Sequence, residues 1–424
     1  MTQRLISFGG LFVLMGLAWL MSSSRKRINL RLVVGGLLLQ FVLALVILRT
    51  PPGQWLFAGI GEAFDHFIGF VDHGGAFVFG DAATQQAVGE GKPLPDDSPL
   101  VRFYFALRVL PTIIVFASLM GIFYYLGIMQ WVVNTLARLM QITLKTSGAE
   151  SLAAAANVFV GHTEAPLVVR PYISGMTMSE LNAMMVGGFA TITGGLLAAY
   201  AGMGIDAGHL VTASVISAPA ALLIAKIMQP EVEVPQTSGN TAVDVPRQGV
   251  NVIEAAAIGA SDGMKLAANV AVMLIAFLAL IAMINAGVGW LGSWFDQEWS
   301  LEMVMGVLFA PIAWVMGIPW HECHHAGELL GLKIVTNEFI AYDRLGQWIN
   351  GGSELLLSKR SQDIMIYALS GFSNFGAIGI QLGGIGGLAP DRRSDLAKLG
   401  LRAMIGGALA CCMTACIAGV LLVD

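Results

Sequence analysis

Eight long apolar runs constrain this sequence more than any other feature, because each is long enough to cross a lipid bilayer. They lie near residues 4–21, 31–49, 101–127, 178–203, 208–228, 264–291, 363–388 and 396–423. A membrane-spanning helix needs about 20 predominantly apolar residues. Only 12% of the 424 residues are charged, whereas soluble domains are roughly a quarter charged. The sequence therefore predicts an all-α polytopic membrane protein with eight transmembrane helices.

Basic residues in the short loops predict how the chain is inserted. The loop after the first run reads SSSRKRINLR, and short loops rich in arginine and lysine stay in the cytoplasm. Counting crossings from there places later basic residues on the same side: Arg138, Lys145, Lys226, Arg247, Arg392, Arg393 and Lys398. This pattern predicts a multi-pass protein of the bacterial inner membrane with both termini in the periplasm. Since the basic residues form no patch and the net charge is -5, nucleic acid is not an expected partner.

Residues 128–175 and 300–358 resemble each other in the order of their features. Each has an apolar helix and then a small-residue stretch that ends in a T-E or N-E pair. Each is followed by an apolar helix that glycines and polar residues interrupt, at 186–195 and 369–379. The first region begins from the cytoplasm and the second from outside, as in inverted-repeat transporters with two opposed re-entrant hairpins. Chance similarity between glycine- and alanine-rich membrane helices is the alternative.

These boundaries predict a scaffold and a transport domain. The scaffold combines three transmembrane helices and an interfacial helix near residues 51–73 with a later amphipathic helix and the sixth transmembrane helix. The transport domain combines the two repeats, each with a hairpin and two transmembrane helices, and the first repeat also has its own interfacial helix. In chain order, the segments are the N-terminal scaffold 1–127, the first repeat 128–228, a mobile cytoplasmic linker 229–249, the second scaffold segment 250–299 and the second repeat 300–424.

The stretch GHTEAP, residues 161–166, places a carboxylate between residues that interrupt helices. Glycine and proline free backbone groups, and such groups persist in a membrane only when buried in protein or lining a wet cavity. Ionisable residues inside a membrane are rare and functional by default. Glu164 and its counterpart Glu338 are therefore candidate substrate-binding groups, on hairpin tips that we expect to meet at mid-bilayer. The alternative is that Glu164 caps its own half-helix or pairs with Arg170.

Neutral oxygen-bearing side chains lie close to both interruptions. They are Asn157, Thr191, Thr193, Ser373 and Asn374. Taken singly, each is typical of a hydrogen bond between membrane helices. Together, at two related breaks, they predict a site for a polar substrate and a small cation.

Residues 321–325, HECHH, match the H-E-x-x-H pattern, in which two histidines on one helical face bind zinc. An intramembrane zinc metalloprotease is therefore the alternative from another functional class. Pro319 places the motif at a helix start, and no aspartate-containing segment in a later helix stands out as the source of a third ligand. We interpret the motif as a polar turn that opens the second hairpin, and we expect no enzymatic activity.

Three stretches together resemble the concentrative nucleoside transporter family over essentially the whole chain. They are Gly161-His162-Thr163-Glu164-Ala165-Pro166, the stretch from Gly331 to Tyr342 with Ile340 in place of a valine, and the break GFSNFG. The resemblance implies a homotrimer of protomers with eight membrane helices and two opposed hairpins, surrounded by membrane lipid. It further implies nucleoside uptake coupled to sodium, or to protons in some bacterial members, by an elevator-like movement.

The resemblance also implies roles for individual residues. His162, Thr163 and Glu164 would face the nucleobase, with Leu196 at the same end. Glu338 and Asn374 would bind the ribose hydroxyls, Phe372 would pack against the nucleoside, and Ala377 would lie beside it. The implied sodium site is formed by Asn157, Thr191 and the backbone carbonyls of Val160 and Ile192.

Two departures from the family pattern leave the substrate open. His162 replaces the usual glutamine, and Gly376-Ala377 stands where many members have serines. Purine, pyrimidine and modified nucleosides such as pseudouridine are all compatible with this site. A histidine beside Glu164 also keeps proton coupling open, because imidazole changes charge near neutral pH.

Overall fold

The computed structural model describes residues 2–79, 99–162, 164–238, 249–294, 297, 299–350 and 356–422, and its regular structure is helical over this part of the chain. The first five helices are α1 (Thr2–Leu20), α2 (Leu30–Arg49), α3 (Pro51–Phe79), α4 (Pro99–Tyr125) and α5 (Ile128–Leu144). The first repeat continues with α6 (Gly148–Ala156), α7 (Ala165–Val168), α8 (Arg170–Ile173), α9 (Met178–Ala190), α10 (Gly194–Gly202) and α11 (Ala207–Met228). The prediction of an all-α fold is confirmed.

The second half of the chain contains the second repeat, whose helices follow an order similar to that of the first repeat. Its helices are α12 (Val252–Ser293), α13 (Leu301–Val315), α14 (Cys323–Val335), α15 (Glu338–Asn350), α16 (Lys359–Leu369), α17 (Phe375–Leu388) and α18 (Arg393–Leu421). Both α6–α7 and α14–α15 are pairs of contacting helices joined by a short break. These two pairs are the predicted hairpins, and we call them hairpin 1 and hairpin 2.

Six described segments are long and apolar enough to cross a membrane: Thr2–Leu20, Leu30–Arg49, Met178–Gly202, Ala207–Met228, Val252–Ser293 and Pro390–Leu421. The pair Leu110–Tyr125 and Ile128–Leu144, bent by 78°, would make a seventh span if it crosses as one unit. The predicted run at 363–388 corresponds to α16 and α17, which a break separates. The number of eight crossings stays a prediction.

Polar N-cap residues restart the two broken helices after each interruption. The Thr193 hydroxyl accepts a hydrogen bond from the Leu196 amide at 3.2 Å and so begins α10. The Asn374 side chain accepts one from the Ala377 amide at 2.8 Å and begins α17. Threonine and asparagine are favoured at this position because their oxygen satisfies an amide that the first turn leaves free. Both predicted breaks are therefore present.

The core lies where α9, α11, α16 and α18 pack against one another. A second tightly packed pair is formed by α4 and α12, whose backbones approach closely at Gly121 and Gly259, and α10 packs against α4. Helices α1 and α2 pack mainly against α18 and α11 and so lie beside the repeats. The predicted division into scaffold and transport domain stays a prediction. The predicted interfacial helix near 51–73 is part of one continuous helix, α3, that contacts α2, α4 and α11.

The first ten residues of the predicted linker 229–249 include a residue that packs against hairpin 1. Thr237 is buried and accepts two backbone hydrogen bonds, from the Gly148 amide to its carbonyl at 2.9 Å and from the Ala149 amide to its hydroxyl at 3.1 Å. Because the first amides of a helix have no partner inside the helix, the segment acts as a cap for α6. The remainder, 239–248, lies outside the described residues.

Candidate functional site

Glu338 is the buried acidic group at the start of α15, with 3% of its surface exposed. Its Oε1 accepts a hydrogen bond from the Tyr200 hydroxyl at 3.2 Å, and its Oε2 accepts one from the Asn374 side-chain amide at 3.1 Å. The carboxylate therefore joins hairpin 2 to α10 and to the N-terminus of α17. Two donors fix its orientation, and each oxygen retains a lone pair that can accept from a further hydroxyl.

Phe372 and His162 bring hairpin 1 to the break between α16 and α17. Their rings meet edge to face with centroids 4.6 Å apart. Both ring nitrogens of His162 are buried without a hydrogen-bond partner among the described residues. The Phe372 amide donates to the Thr191 carbonyl at 3.3 Å, so the two helix breaks are in direct contact.

Asn157 is the strongest candidate for holding a cation. It lies at the C-terminal end of α6 and is 1% exposed, yet within the described residues neither its Oδ1 nor its Nδ2 has a hydrogen-bond partner. Nearby, Thr191 ends α9, and its hydroxyl donates to the Gly187 carbonyl at 2.9 Å. A buried amide oxygen beside an unwound helix end suits a sodium ion, since half-helix C-termini and freed carbonyls coordinate such cations. The residues present therefore fit the expected ion.

Glu164 is exposed and lines a cleft of about 180 Å³ between hairpin 1 and the α4–α12 pair. The lining also includes Val160, Thr193, Tyr124 and Asp262. Glu338 is not among the residues that line this cleft. The two carboxylates therefore do not meet in this cleft, and His162 lies at the hairpin 1 end that contacts the second break.

The remaining predicted site residues contribute in other ways or fall outside the description. Leu196 and Ala377 are buried and donate their amides to the caps of α10 and α17. Val160 and Ile192, whose carbonyls belong to the predicted sodium site, are buried. Thr163 lies outside the described residues.

Family models and relatives match this chain over most of its length. Residues 9–82 match the family described as Na+ dependent nucleoside transporter N-terminus, residues 209–419 its C-terminus, and residues 106–207 the Gate family, described as nucleoside recognition. An uncharacterized transporter of Haemophilus influenzae is 44% identical over 417 residues, which cover 98% of this chain and 97% of that protein. The chain belongs to the concentrative nucleoside transporter family.

One solved structure of this family, CNTnw in an inward-facing substrate-bound state, has a TM-score of 0.90 and 42% identity to this chain. That match covers 99% of this chain and 98% of CNTnw. Solute carrier family 28 member 3 of Eptatretus stoutii is 43% identical over 431 residues, 99% of this chain and 61% of that protein. The chain thus spans about three fifths of the length of that curated relative.

The HECHH motif does not place its two outer histidines on one α-helical face in this family member. His321 is in a short 3₁₀ turn, Trp320–Glu322, before α14, so it does not share one α-helical face with His325. Glu322 accepts hydrogen bonds from the Ser358 amide at 3.2 Å and from its hydroxyl at 3.1 Å. Across the described residues, no group of three potential ligands could hold a metal ion. The family consists of transporters and not of enzymes.

Two buried polar residues close to the candidate site were not predicted from the sequence. Tyr200 lies in α10, one turn after Leu196 and outside the quoted motifs, and only the fold brings its hydroxyl to Glu338. Gln381 is fully buried in α17, and its Nε2 donates to the Met185 carbonyl at 3.2 Å, while its Oε1 has no partner among the described residues. A glutamine in an otherwise apolar helix was the one signal that could have found it.

Proposed function

We propose that this chain carries nucleosides across the inner membrane together with sodium. The observation that supports this most strongly is the contact between the two helix breaks, where the Phe372 amide meets the Thr191 carbonyl. On one side of this contact lies the buried Glu338 carboxylate, and on the other lies the unpartnered Asn157 amide. The hydrogen bond between Phe372 and Thr191 therefore lies between a carboxylate that can accept from hydroxyl groups and an amide oxygen that can bind a cation.

In this proposal the Glu338 carboxylate and Asn374 bind the ribose. A carboxylate can accept from two vicinal hydroxyls, and charge-assisted hydrogen bonds are roughly twice as strong as neutral ones. Phe372 packs against the nucleoside, and Ala377 lies beside it. His162, Thr163, Glu164 and Leu196 face the nucleobase, and both ring nitrogens of His162 are available to it.

Sodium would bind between Asn157, the Thr191 hydroxyl and the carbonyls of Val160 and Ile192. Because Thr191 also accepts the Phe372 amide, an ion that orders residues 191–192 would also hold Phe372 in place. The two ligands would then favour each other's binding through the same contact, and such coupling is reciprocal.

Movement between the two sides of the membrane would follow an elevator mechanism. The scaffold domains of a trimer would stay fixed, and the domain that contains the two repeats would move against them. The tight pairing of α4 with α12 supports this division, and α10 of the first repeat packs against α4. The cleft lined by Glu164 lies between hairpin 1 and this pair, where a moving body would slide past a fixed one.

The test is uptake of radiolabelled uridine and adenosine by proteoliposomes that contain the purified chain. A sodium gradient and a pH gradient are imposed separately, and the expected result is accumulation of at least one nucleoside with the sodium gradient alone. Uptake that ignores sodium and follows the pH gradient would assign the coupling to protons, for which the unpartnered His162 imidazole is the candidate group. Accumulation of neither nucleoside under either gradient would refute the proposal.

A further inference from the structure

In each broken helix, one backbone carbonyl lacks the amide donor that it would have in a continuous α-helix. In an α-helix the carbonyl of residue i accepts from the amide of residue i+4. The Phe372 amide donates to Thr191 in the other break, so the Ala368 carbonyl loses its helical donor. In the first repeat, the Gly187 carbonyl accepts from the Thr191 hydroxyl at 2.9 Å.

These two carbonyls occupy equivalent positions in the two repeats. Gly187 lies six residues before Thr193, the N-cap of α10, and Ala368 lies six residues before Asn374, the N-cap of α17. The last turn of a helix concentrates negative partial charge on its carbonyls, so both places favour a cation. The two places differ in the polar side chain that lies next to them.

In the first repeat, a neutral side-chain amide lies against Gly187, the residue that carries this carbonyl. A Cβ atom built on Gly187 would lie 3.1 Å from Nδ2 of Asn157, the residue whose polar atoms have no partner among the described residues. In the second repeat, the group is the amino group of Lys333. Its Nζ donates to the Ala368 carbonyl at 2.9 Å, and the side chain is 2% exposed.

Both groups come from the C-terminal end of the first helix of their hairpin. Asn157 is the C-cap of α6, and Lys333 lies in the last turn of α14. Each hairpin thus directs a polar side chain from the end of its first helix to the end of the first half of a broken helix. Ionisable residues buried in a membrane protein are functional by default, and the nucleoside contacts assigned above do not use Lys333.

We propose that the Lys333 amino group is a tethered cation that occupies, in the second repeat, the position that the first repeat offers to sodium. This inference rests on the proposed function. Because the amino group of a lysine is attached to the chain, it cannot diffuse away from this position. The second position is therefore occupied in every state of the transport cycle, and only the occupancy of the first position depends on the sodium gradient. The chain therefore binds a single sodium ion per nucleoside at these two positions.

The test separates the charge of Lys333 from its hydrogen bond. Lys333→Gln keeps an N–H donor for the Ala368 carbonyl but removes the charge, and Lys333→Ala leaves room for a free cation. Uridine and adenosine uptake is measured in proteoliposomes over a range of sodium concentrations, with Lys359→Gln, an exposed lysine on α16, as the control. Wild-type protein is measured first. Wild-type uptake that does not respond to sodium refutes the proposed function, whereas the role of Lys333 is judged from the variants.

We expect Lys333→Gln to lower uptake roughly tenfold or more, since a charge at a helix end is lost, and Lys359→Gln to leave it unchanged. We expect sodium activation of Lys333→Ala to change from a Hill coefficient of about one to about two, because a second ion fills the vacated place. Lys333→Gln within twofold of wild type would show that Lys333 only caps α16. A Hill coefficient of one in an active Lys333→Ala protein would also overturn the inference.

A reciprocal variant tests the same idea without changing Lys333. Asn157→Lys supplies a tethered cation to the first repeat, so nucleoside should stabilise the purified protein against heat as much in choline chloride as in sodium chloride. Stabilisation of Asn157→Lys that still requires sodium, or none in either salt, would contradict the equivalence of the two positions.

Discussion

Tyr200→Phe tests whether the orientation of the Glu338 carboxylate determines nucleoside affinity. The substitution removes one hydroxyl and with it the 3.2 Å hydrogen bond to Oε1, while the fully buried ring can stay in place. Hydrogen bonds to charged groups contribute roughly 1.5–3 kcal/mol. Because 3.2 Å is long for a hydroxyl donor, we take the lower end, about 1.5 kcal/mol, which corresponds to roughly a tenfold change in an equilibrium constant.

We therefore expect KM for nucleoside uptake to rise about tenfold in Tyr200→Phe, with little change in the maximal rate at saturating nucleoside. Initial rates of radiolabelled uptake in proteoliposomes measure both quantities. Tyr125→Phe is the matched control, since its hydroxyl donates to the Val250 carbonyl at the same distance of 3.2 Å but lies at an exposed site away from Glu338. A KM of Tyr200→Phe within twofold of wild type would refute the role of this hydrogen bond.

Three further substitutions test other parts of the site. Asn157→Ala should raise the sodium concentration for half-maximal uptake about tenfold or more, because it removes the only side-chain amide of the ion site; an unchanged sodium activation curve would count against that site. Glu338→Gln should abolish uptake, since it removes the negative charge and one of the two oxygens that would accept from the ribose hydroxyls; near-normal uptake would remove the ribose role of Glu338. Gly188→Ala should yield little folded protein by size-exclusion chromatography, because its Cβ would lie 2.6 Å from that of His162, whereas Gly379→Ala, with nothing within 4 Å, should fold normally.

The broken helices could be predicted because their cause is local. Glycines weaken a helix, and a threonine or asparagine after the break restarts it as an N-cap. Thr193 and Asn374 perform this function at the expected places. The pairing of each break with a hairpin could be predicted as well, since the same order of features occurs twice in the sequence.

Features that depend on packing between distant segments could not be predicted in this way. Composition alone indicates a mobile linker at 229–249, yet Thr237 caps α6, and nothing in the sequence around it indicates that partner. Tyr200 and Glu338 are 138 residues apart and meet only in the folded chain. Whether Glu164 faces Glu338 or the α4–α12 pair likewise depends on how the hairpins are placed against the other helices.

The end of α16 shows why its break must move together with its neighbours. Its freed carbonyls accept hydrogen bonds from other helices: Ile366 from the Tyr342 hydroxyl at 2.7 Å, Ala368 from Lys333 at 2.9 Å, and Ser370 from the Cys411 thiol at 3.2 Å. In a membrane each unsatisfied backbone group costs several kcal/mol. Local melting of the break would remove all three partners at once, whereas motion of α14, α15, α16 and α18 as one body keeps them. The hydrogen bonds at this break therefore favour rigid movement of the core over local opening as the way the bound solute changes sides.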